Sequence, residues 1–317
     1  MKKFYIDCRE LSFFVRTIGN PSFPPVVFLH GVTMSGAVWE CTMNYLKNEF
    51  YCIAIDLRGH GKSSKPKPIY DTNNTDKYNK GNYTFETHCD DINCILTKMN
   101  IIKPSIVGWS LGGLIAQVYA FRYGENISKL VLVDTGPQGD STPDFPWGIP
   151  QEKANQLVNY LKMATEPFKS SEFKSDNYER FLDLLDELNF TDECRNITDS
   201  NIKRDYNTLV KKLRIISNQA SPEAILAGFI QNGTRSLLTI LPYIKVPTLI
   251  VVGSLDLFYP FQAARYMREH IPNSILVEFN SKGHSAFLTN IGKFNKILWA
   301  FLTEADKECD ICTNINP

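Results

Sequence analysis

PSIVGWSLGGLIAQ, residues 104–117, changes hydrophobic period within one short stretch and places a serine at the change. Ser105, Ile106 and Val107 close an apolar run of strand length, while Leu114, Ile115 and Val118 continue as a helical face. Ser110 stands on the corner. Gly108, Gly112 and Gly113 surround it, so Gly108-Trp109-Ser110-Leu111-Gly112 reads as a G-x-S-x-G elbow, in which small residues let a strand reverse directly into a helix. Such a turn lifts the hydroxyl above the sheet edge within reach of a base, and the helix start behind it offers unpaired backbone N–H groups to a developing oxyanion. A glycine-rich turn with an incidental serine has the same spelling, so the elbow has to be weighed with the rest of the chain.

Outward from the elbow, short apolar runs alternate with helical spacing. Upstream, residues 26–29 and 53–55 read as buried strands that end in His30-Gly31-Val32 and in Asp56-Leu57-Arg58-Gly59-His60-Gly61. Trp39, Met43 and Leu46 mark a helix between them, and a hairpin is expected over residues 4–16. Residues 62–82 are polar and read as a loop or insertion, after which Thr84 can cap a helix carrying Phe85, Cys89, Ile92, Leu96 and Met99. Downstream, residues 130–133 form a strand ending at Asp134. Residues 137–240 then change character to long helical stretches and read as an inserted helical cap. The strand pattern returns over 246–252, closed by Gly253-Ser254-Leu255-Asp256, then a helix over 261–270, a strand over 274–279 ending at Gly283-His284, and a helix over 291–302. The expected architecture is α/β: a mostly parallel sheet flanked by helices, with a core of residues 1–136 and 241–305, the cap, and a disordered tail over 306–317. In such sheets functional groups gather beyond the carboxyl ends of the strands, where His30, Asp56, Ser110, Asp134, Asp256 and His284 all fall.

A serine hydroxyl needs a base to take its proton, and a histidine oriented by a carboxylate supplies one. Ser110, Asp256 and His284 occur in that order at three strand ends, with Asp134 as the alternative acid. Each has a plainer reading: Asp256 as a helix cap before Tyr259-Pro260, His284 as a loop histidine. His30 and His60 sit in glycine turns and are read as loop braces, His88 and His270 as helix residues. The oxyanion needs two convergent donors, for which the backbone N–H groups of Val32 and Leu111 are the candidates. Trp39 and Trp109 flank these two turns, and one of them is expected in the pocket wall. Phe145, Trp147, Phe168, Phe173, Phe190 and Phe229 add aromatic surface to the cap.

As a set, HGVTMSGAVW (30–39), DLRGHGKS (56–63), GWSLGG (108–113), GSLDLFYP (253–260) and GHSAF (283–287) resemble the α/β-hydrolase fold superfamily, over about residues 24–136 and 241–302. The resemblance implies an eight-stranded, mostly parallel sheet, a helical cap after the strand ending at Asp134, a Ser110, Asp256, His284 triad, and Val32 and Leu111 as oxyanion donors. Serine at the elbow resembles the esterases and lactonases of that superfamily; epoxide hydrolases and haloalkane dehalogenases carry aspartate there. The implied reaction is hydrolysis of a small or medium carboxylic ester, thioester or lactone. Acyl transfer or carbon–carbon bond hydrolysis with the same triad is the alternative, and a non-catalytic sensing or scaffold role is the third reading.

Composition narrows the partners. Lys plus Arg and Asp plus Glu both total 34, so the net charge is zero and no basic cluster points to nucleic acid or an anionic membrane. No apolar run fits a signal peptide or a membrane span. Eight cysteines without a disulfide-framework spacing suit a reducing, cytoplasmic setting. Cys309 and Cys312 lack the second ligand pair of a structural zinc site, the histidines stand apart, and no dinucleotide or phosphate-loop motif occurs, so neither metal nor cofactor is expected. A small acyl substrate is the expected partner; oligomeric state is not legible.

Overall fold

The computed structural model describes residues 1–67, 82–149, 151–165, 170–189, 198, 200–280 and 282–303. Most of the polar loop over 66–82 and the tail with Cys309 and Cys312 lie outside them. β1 (Lys2–Cys8) and β2 (Leu11–Ile18) make the hairpin, paired antiparallel from Lys2 opposite Thr17 to Cys8 opposite Leu11. Arg9 and Glu10, both at positive φ (52° and 64°), form its two-residue turn, the hand that matches strand twist.

Six further strands complete one sheet: β3 (Pro25–Leu29), β4 (Tyr51–Ile55), β5 (Ser105–Trp109), β6 (Leu130–Val133), β7 (Thr248–Gly253) and β8 (Ser274–Phe279). The order is β1-β2-β4-β3-β5-β6-β7-β8, antiparallel from β1 to β4 and parallel from β4 to β8. Among the described residues the helices of seven residues or more are α1 (Glu40–Leu46), α2 (Phe85–Lys98), α3 (Leu111–Tyr123), α4 (Gln151–Thr165), α5 (Ser171–Asn189), α6 (Ser200–Ser217), α7 (Pro222–Thr234), α8 (Phe261–His270) and α9 (Ile291–Thr303). None among the described residues is long and apolar enough to cross a membrane.

Helices on both faces explain why the inner strands read as continuous apolar runs instead of alternating ones; β5 and β7 are buried at every position. Successive side chains still part to opposite sides. Val27 and Leu29 join Phe85, Ile92, Leu114 and Met267 of α2, α3 and α8, while Val26 and Phe28 join Trp39, Met43, Phe294 and Leu298 near α1 and α9. Thr84 caps α2 through the Thr87 N–H at 3.1 Å, as its sequence position suggests.

Helices α4 to α7 all fall between β6 and β7 in the chain. α4, α5 and α7 share a third apolar cluster, with Leu157 and Leu161 from α4, Phe181 and Leu185 from α5, and Ile225 and Phe229 from α7, closed by Phe258 and Tyr259 of the sheet-end loop, while Leu213 and Ile216 of α6 join the cluster of Trp39 and Phe287. α7 is anchored at its start: Ser221 Oγ accepts from the Ala224 N–H, and the Ser221 N–H donates to the Gly59 carbonyl. Gly59 belongs to a turn knotted by buried charge. Asp56 receives Arg16 and the N–H groups of Gly36 and Lys62, and Arg58 forks onto Asp91. Asp56 is thus placed as a fastener of the loops.

Candidate active site

β5 ends at Trp109 and α3 starts at Leu111, so Ser110 alone makes the turn, at φ 54° and ψ −118°. This is strained backbone for a residue with a side chain, and the surroundings hold it. The Ser110 N–H donates to the Val133 carbonyl at 3.0 Å, and the Ser110 carbonyl accepts from Thr135 Oγ1 at 2.9 Å and from the Gly113 N–H at 2.8 Å. The elbow glycines are required by close approach. A Cβ on Gly108 would sit 2.3 Å from the Gly112 carbonyl oxygen, and one on Gly112 would sit 2.4 Å from the Leu29 carbonyl oxygen.

The loops after β7 and β8 bring the other two groups to this corner. His284 Nε2 lies 2.9 Å from Ser110 Oγ, and His284 Nδ1 lies 2.9 Å from Asp256 Oδ2. Asp256 also does what its plainer reading foresees, because Oδ1 accepts from the N–H groups of Phe258 and Tyr259 at 2.7 and 3.0 Å. One carboxylate oxygen therefore orders the turn and the other faces the imidazole. Trp109 Nε1 donates to the His284 carbonyl at 2.9 Å, and the Phe258 ring packs 4.5 Å from the imidazole. An ionised Asp256 accepting Nδ1–H leaves the Nε2 lone pair facing the serine hydroxyl, the tautomer that proton removal needs.

Asp134 lies nearby with its hydrogen bonds directed elsewhere. Its two oxygens accept from the N–H groups of Gly253 and Ala286, at 2.9 and 3.1 Å. It thus stitches together the two loops that carry Asp256 and His284. Burial, and then the neighbouring Asp256 charge, push its carboxyl well above the usual carboxylate range.

The oxyanion candidates are held by two histidines. Leu57 N–H donates to His30 Nε2 at 3.0 Å, so Nδ1 carries the proton and donates to the Gly31 carbonyl at 2.8 Å; the Met34 N–H reaches the same carbonyl. That fixes the Gly31–Val32 peptide and turns the Val32 N–H to its opposite side. The Val32 carbonyl is met by His60 Nε2. Leu111 contributes the first N–H of α3, which lies among the N-terminal amides without an intrahelical acceptor.

A mostly apolar cavity with about 480 Å³ of empty space, including the part open to solvent, lies over Ser110 and is bordered by Val32, Leu111 and His284. Leu185 and Asn189 of α5 and Gly228, Phe229 and Asn232 of α7 roof it. Of the two flanking tryptophans, Trp109 is in the wall. Trp39 is not: it is fully buried between Phe28, Phe287 and Phe294, in the same apolar cluster as Trp109, because its helical spacing is that of the core face leading into α1. Phe229 is the one aromatic of the 137–240 segment placed in the wall among the described residues. Phe145 and Trp147 pack on Tyr266 instead. Phe168 and Phe190 lie outside the described residues, as does the side chain of Phe173. The sequence reading did not pick out Phe258 and Tyr259 as pocket residues, although the turn after Asp256 puts them there.

The roof approaches the oxyanion turn closely at Gly228. A Cβ there would meet Val32 Cγ2 at 2.7 Å and Leu111 Cδ2 at 3.6 Å. Gly228→Ala is expected to lower kcat about tenfold by displacing Val32, a fraction of the loss from deleting an oxyanion donor outright. Because alanine is the better helix former by about 0.5–1 kcal/mol, the melting temperature should not fall in parallel. Unchanged kcat would show that the turn tolerates the roof's pressure.

Three buried histidines make stability depend on pH. Burial lowers the pKa of His30, His60 and His88; the His60 charge adds to the effect at His30 and the Arg58 charge at His88. Below about pH 6.5 the unfolded chain therefore binds protons that the fold refuses, and stability falls as pH drops, by at most about 1.4 kcal/mol per pH unit for each group. Asp134 has the opposite sign, holding a proton in the fold that the unfolded chain releases above about pH 3.9. The urea midpoint is expected to fall between pH 7 and pH 5. A flat profile there would mean that these imidazoles take up protons inside the fold.

The sheet order, the elbow and the serine–histidine–carboxylate array together define a serine hydrolase on an α/β scaffold. A profile of the alpha/beta hydrolase fold family matches residues 24–291, and the chain belongs to that family. It is similar to the AB hydrolase superfamily protein YisY of Bacillus subtilis (strain 168), 27% identical over 301 residues that cover 94% of this chain and 98% of the relative. It is also similar to the pimeloyl-[acyl-carrier protein] methyl ester esterase of Wigglesworthia glossinidia brevipalpis, 28% identical over 92% of this chain and 97% of the relative. Among solved structures, an esterase from Exiguobacterium antarcticum superposes with a TM-score of 0.78 at 26% identity, covering 94% of this chain and 98% of that one.

Proposed function

We propose that the protein hydrolyses small or medium carboxylic esters through an acyl-enzyme, with Ser110 as nucleophile, His284 as base and then acid, and Asp256 as its orienting carboxylate. The observation that carries this reading is the bridge of His284, 2.9 Å from Ser110 Oγ on one side and 2.9 Å from Asp256 Oδ2 on the other, on the wall of a mostly apolar cavity. Ser110 Oγ attacks the carbonyl carbon as its proton passes to Nε2, and the Val32 and Leu111 N–H groups receive the oxyanion. The Nε2 proton then goes to the leaving alkoxide, the C–O bond breaks, and water activated by the same nitrogen releases the acid. Residues 137–240 act as a cap over a core of 1–136 and 241–305, supplying Leu185, Asn189, Phe229 and Asn232 to the acyl pocket. The methyl ester esterase and esterase relatives support an ester over a carbon–carbon substrate.

The test is turnover of methyl esters across acyl chain lengths, with labelling by a serine-directed fluorophosphonate. Turnover that varies with chain length, and a label on Ser110, are expected. A protein that cleaves none of these esters and leaves Ser110 unlabelled would sink the reading.

A further inference from the structure

Beside the main cavity runs a second, narrower crevice between α5 and α6, bordered by Thr33, Met34, Leu182, Leu213, Ser217 and Ser285. Thr33, Leu185 and Asn189 border both spaces, so the two adjoin. The crevice holds about 310 Å³ of empty space with its solvent-open part, against about 480 Å³ in the main cavity, and its enclosed part has room for roughly one group of water size.

Two features give this space a chemistry. Ser285 directly follows His284, is 1% exposed, and its hydroxyl meets no hydrogen-bond partner among the described residues. A buried hydroxyl left without a partner costs about 1–3 kcal/mol, so the site favours a small molecule that can hydrogen-bond to it. At the rim, Arg214 is surrounded by Asp183 at 2.6 Å, Asp186 at 2.7 Å and Glu179 at 3.6 Å. With more acid than base there, an anionic group is disfavoured and a neutral one is not.

We propose that this crevice is the subsite for the leaving alcohol and that it admits alcohols of methanol or ethanol size, an inference that rests on the ester-hydrolase reading above. The leaving oxygen must lie against His284 Nε2 to take its proton, which places the alkyl group on the histidine side of the scissile carbon, where Ser285 and the crevice are. When the tetrahedral adduct collapses, the bond from the carbonyl carbon to the alkoxy oxygen breaks, the Nε2 proton completes the alcohol, and Ser285 Oγ hydrogen-bonds to it. The acyl chain keeps the wider apolar cavity under Phe229. Two lobes of different width thus divide the ester: a narrow polar lobe for the alcohol and a broad apolar lobe for the acid.

The experiment measures kcat/KM for butanoate esters of methanol, ethanol, 1-propanol and 1-butanol, with wild type, Leu213→Ala and Leu182→Ala. These two leucines border the crevice but not the main cavity, and they stand on different helices, so one variant suffices if the other does not fold. Beyond ethanol, each methylene is expected to lower kcat/KM about tenfold in the wild type, and either variant should recover about that factor for the propyl ester. The dependence on acyl length, measured with methyl esters, should stay unchanged. A wild-type profile that is flat or rises with alcohol length overturns the subsite, as does a falling profile that a folded variant leaves unmoved. Cleavage with a flat profile removes the subsite alone, whereas absence of cleavage throughout, with Ser110 unlabelled, removes the ester-hydrolase reading with it.

Discussion

Ser110→Ala is expected to lower kcat for ester hydrolysis about 10⁶-fold, the scale seen when the nucleophile of a concerted serine–histidine array is removed. The alanine retains the backbone N–H groups of Val32 and Leu111 and the whole cavity wall, so substrate binding should change little. A residual rate above the uncatalysed reaction should persist from the oxyanion donors alone. The strained φ of 54° at this position makes a second readout available. Alanine does not remove the strain, so the melting temperature should move by only about a degree or two, in keeping with the small effect of trimming one hydroxyl. Pre-steady-state methanol release from a methyl ester and a thermal melt would check the two halves: no acyl-enzyme burst and an unchanged fold. A variant that retained a burst would place the nucleophile elsewhere.

The second large effect separates the two buried carboxylates. Asp256→Asn is expected to cost about 10⁴-fold in kcat with a KM close to wild type, because an amide can offer its NH₂ to His284 Nδ1 and so favour the tautomer with the proton on Nε2. That tautomer cannot accept the serine proton. Asp134→Asn should cost less than about tenfold, since Asp134 accepts only backbone N–H groups and an amide oxygen can keep one of them. Its loss would be felt as looser loops around Asp256 and His284, read as a lower melting temperature. Steady-state kinetics on the pair decide the matter, and a larger kcat loss from Asp134→Asn than from Asp256→Asn would transfer the role of acid to Asp134.

The elbow, the strand ends and the order of the helices were legible in the chain because each is a local matter. Gly108 is spelled by a close approach to Gly112 four residues on, and the strand from 105 to 109 by burial on both faces; Gly112 itself is required by the Leu29 carbonyl of a distant strand, although the local pattern already records it. The same locality set the limit at Trp39. Its spacing with Met43 and Leu46 correctly reports one buried helical face, but periodicity cannot tell whether a residue on that face also borders a cavity. Trp109 and Trp39 therefore looked equivalent; both pack on Phe287, and what separates them is that Phe28 and Phe294 enclose Trp39 while Trp109 borders the cavity.

From sequence alone came the α/β alternation, the serine at its corner, and the short set of acids and histidines at strand ends, because spacing and glycine placement encode the backbone around each. What tertiary structure alone decided is which of those groups meet. Asp134 and Asp256 close neighbouring strands, and the choice between them follows from the turn that sends Asp256 Oδ2 to His284 Nδ1 while both Asp134 oxygens go to backbone amides. The roof at Gly228 and the crevice at Ser285 are likewise contacts between residues far apart in the chain. Such contacts depend on how α5, α6 and α7 settle on the sheet ends, a packing outcome that no local pattern records.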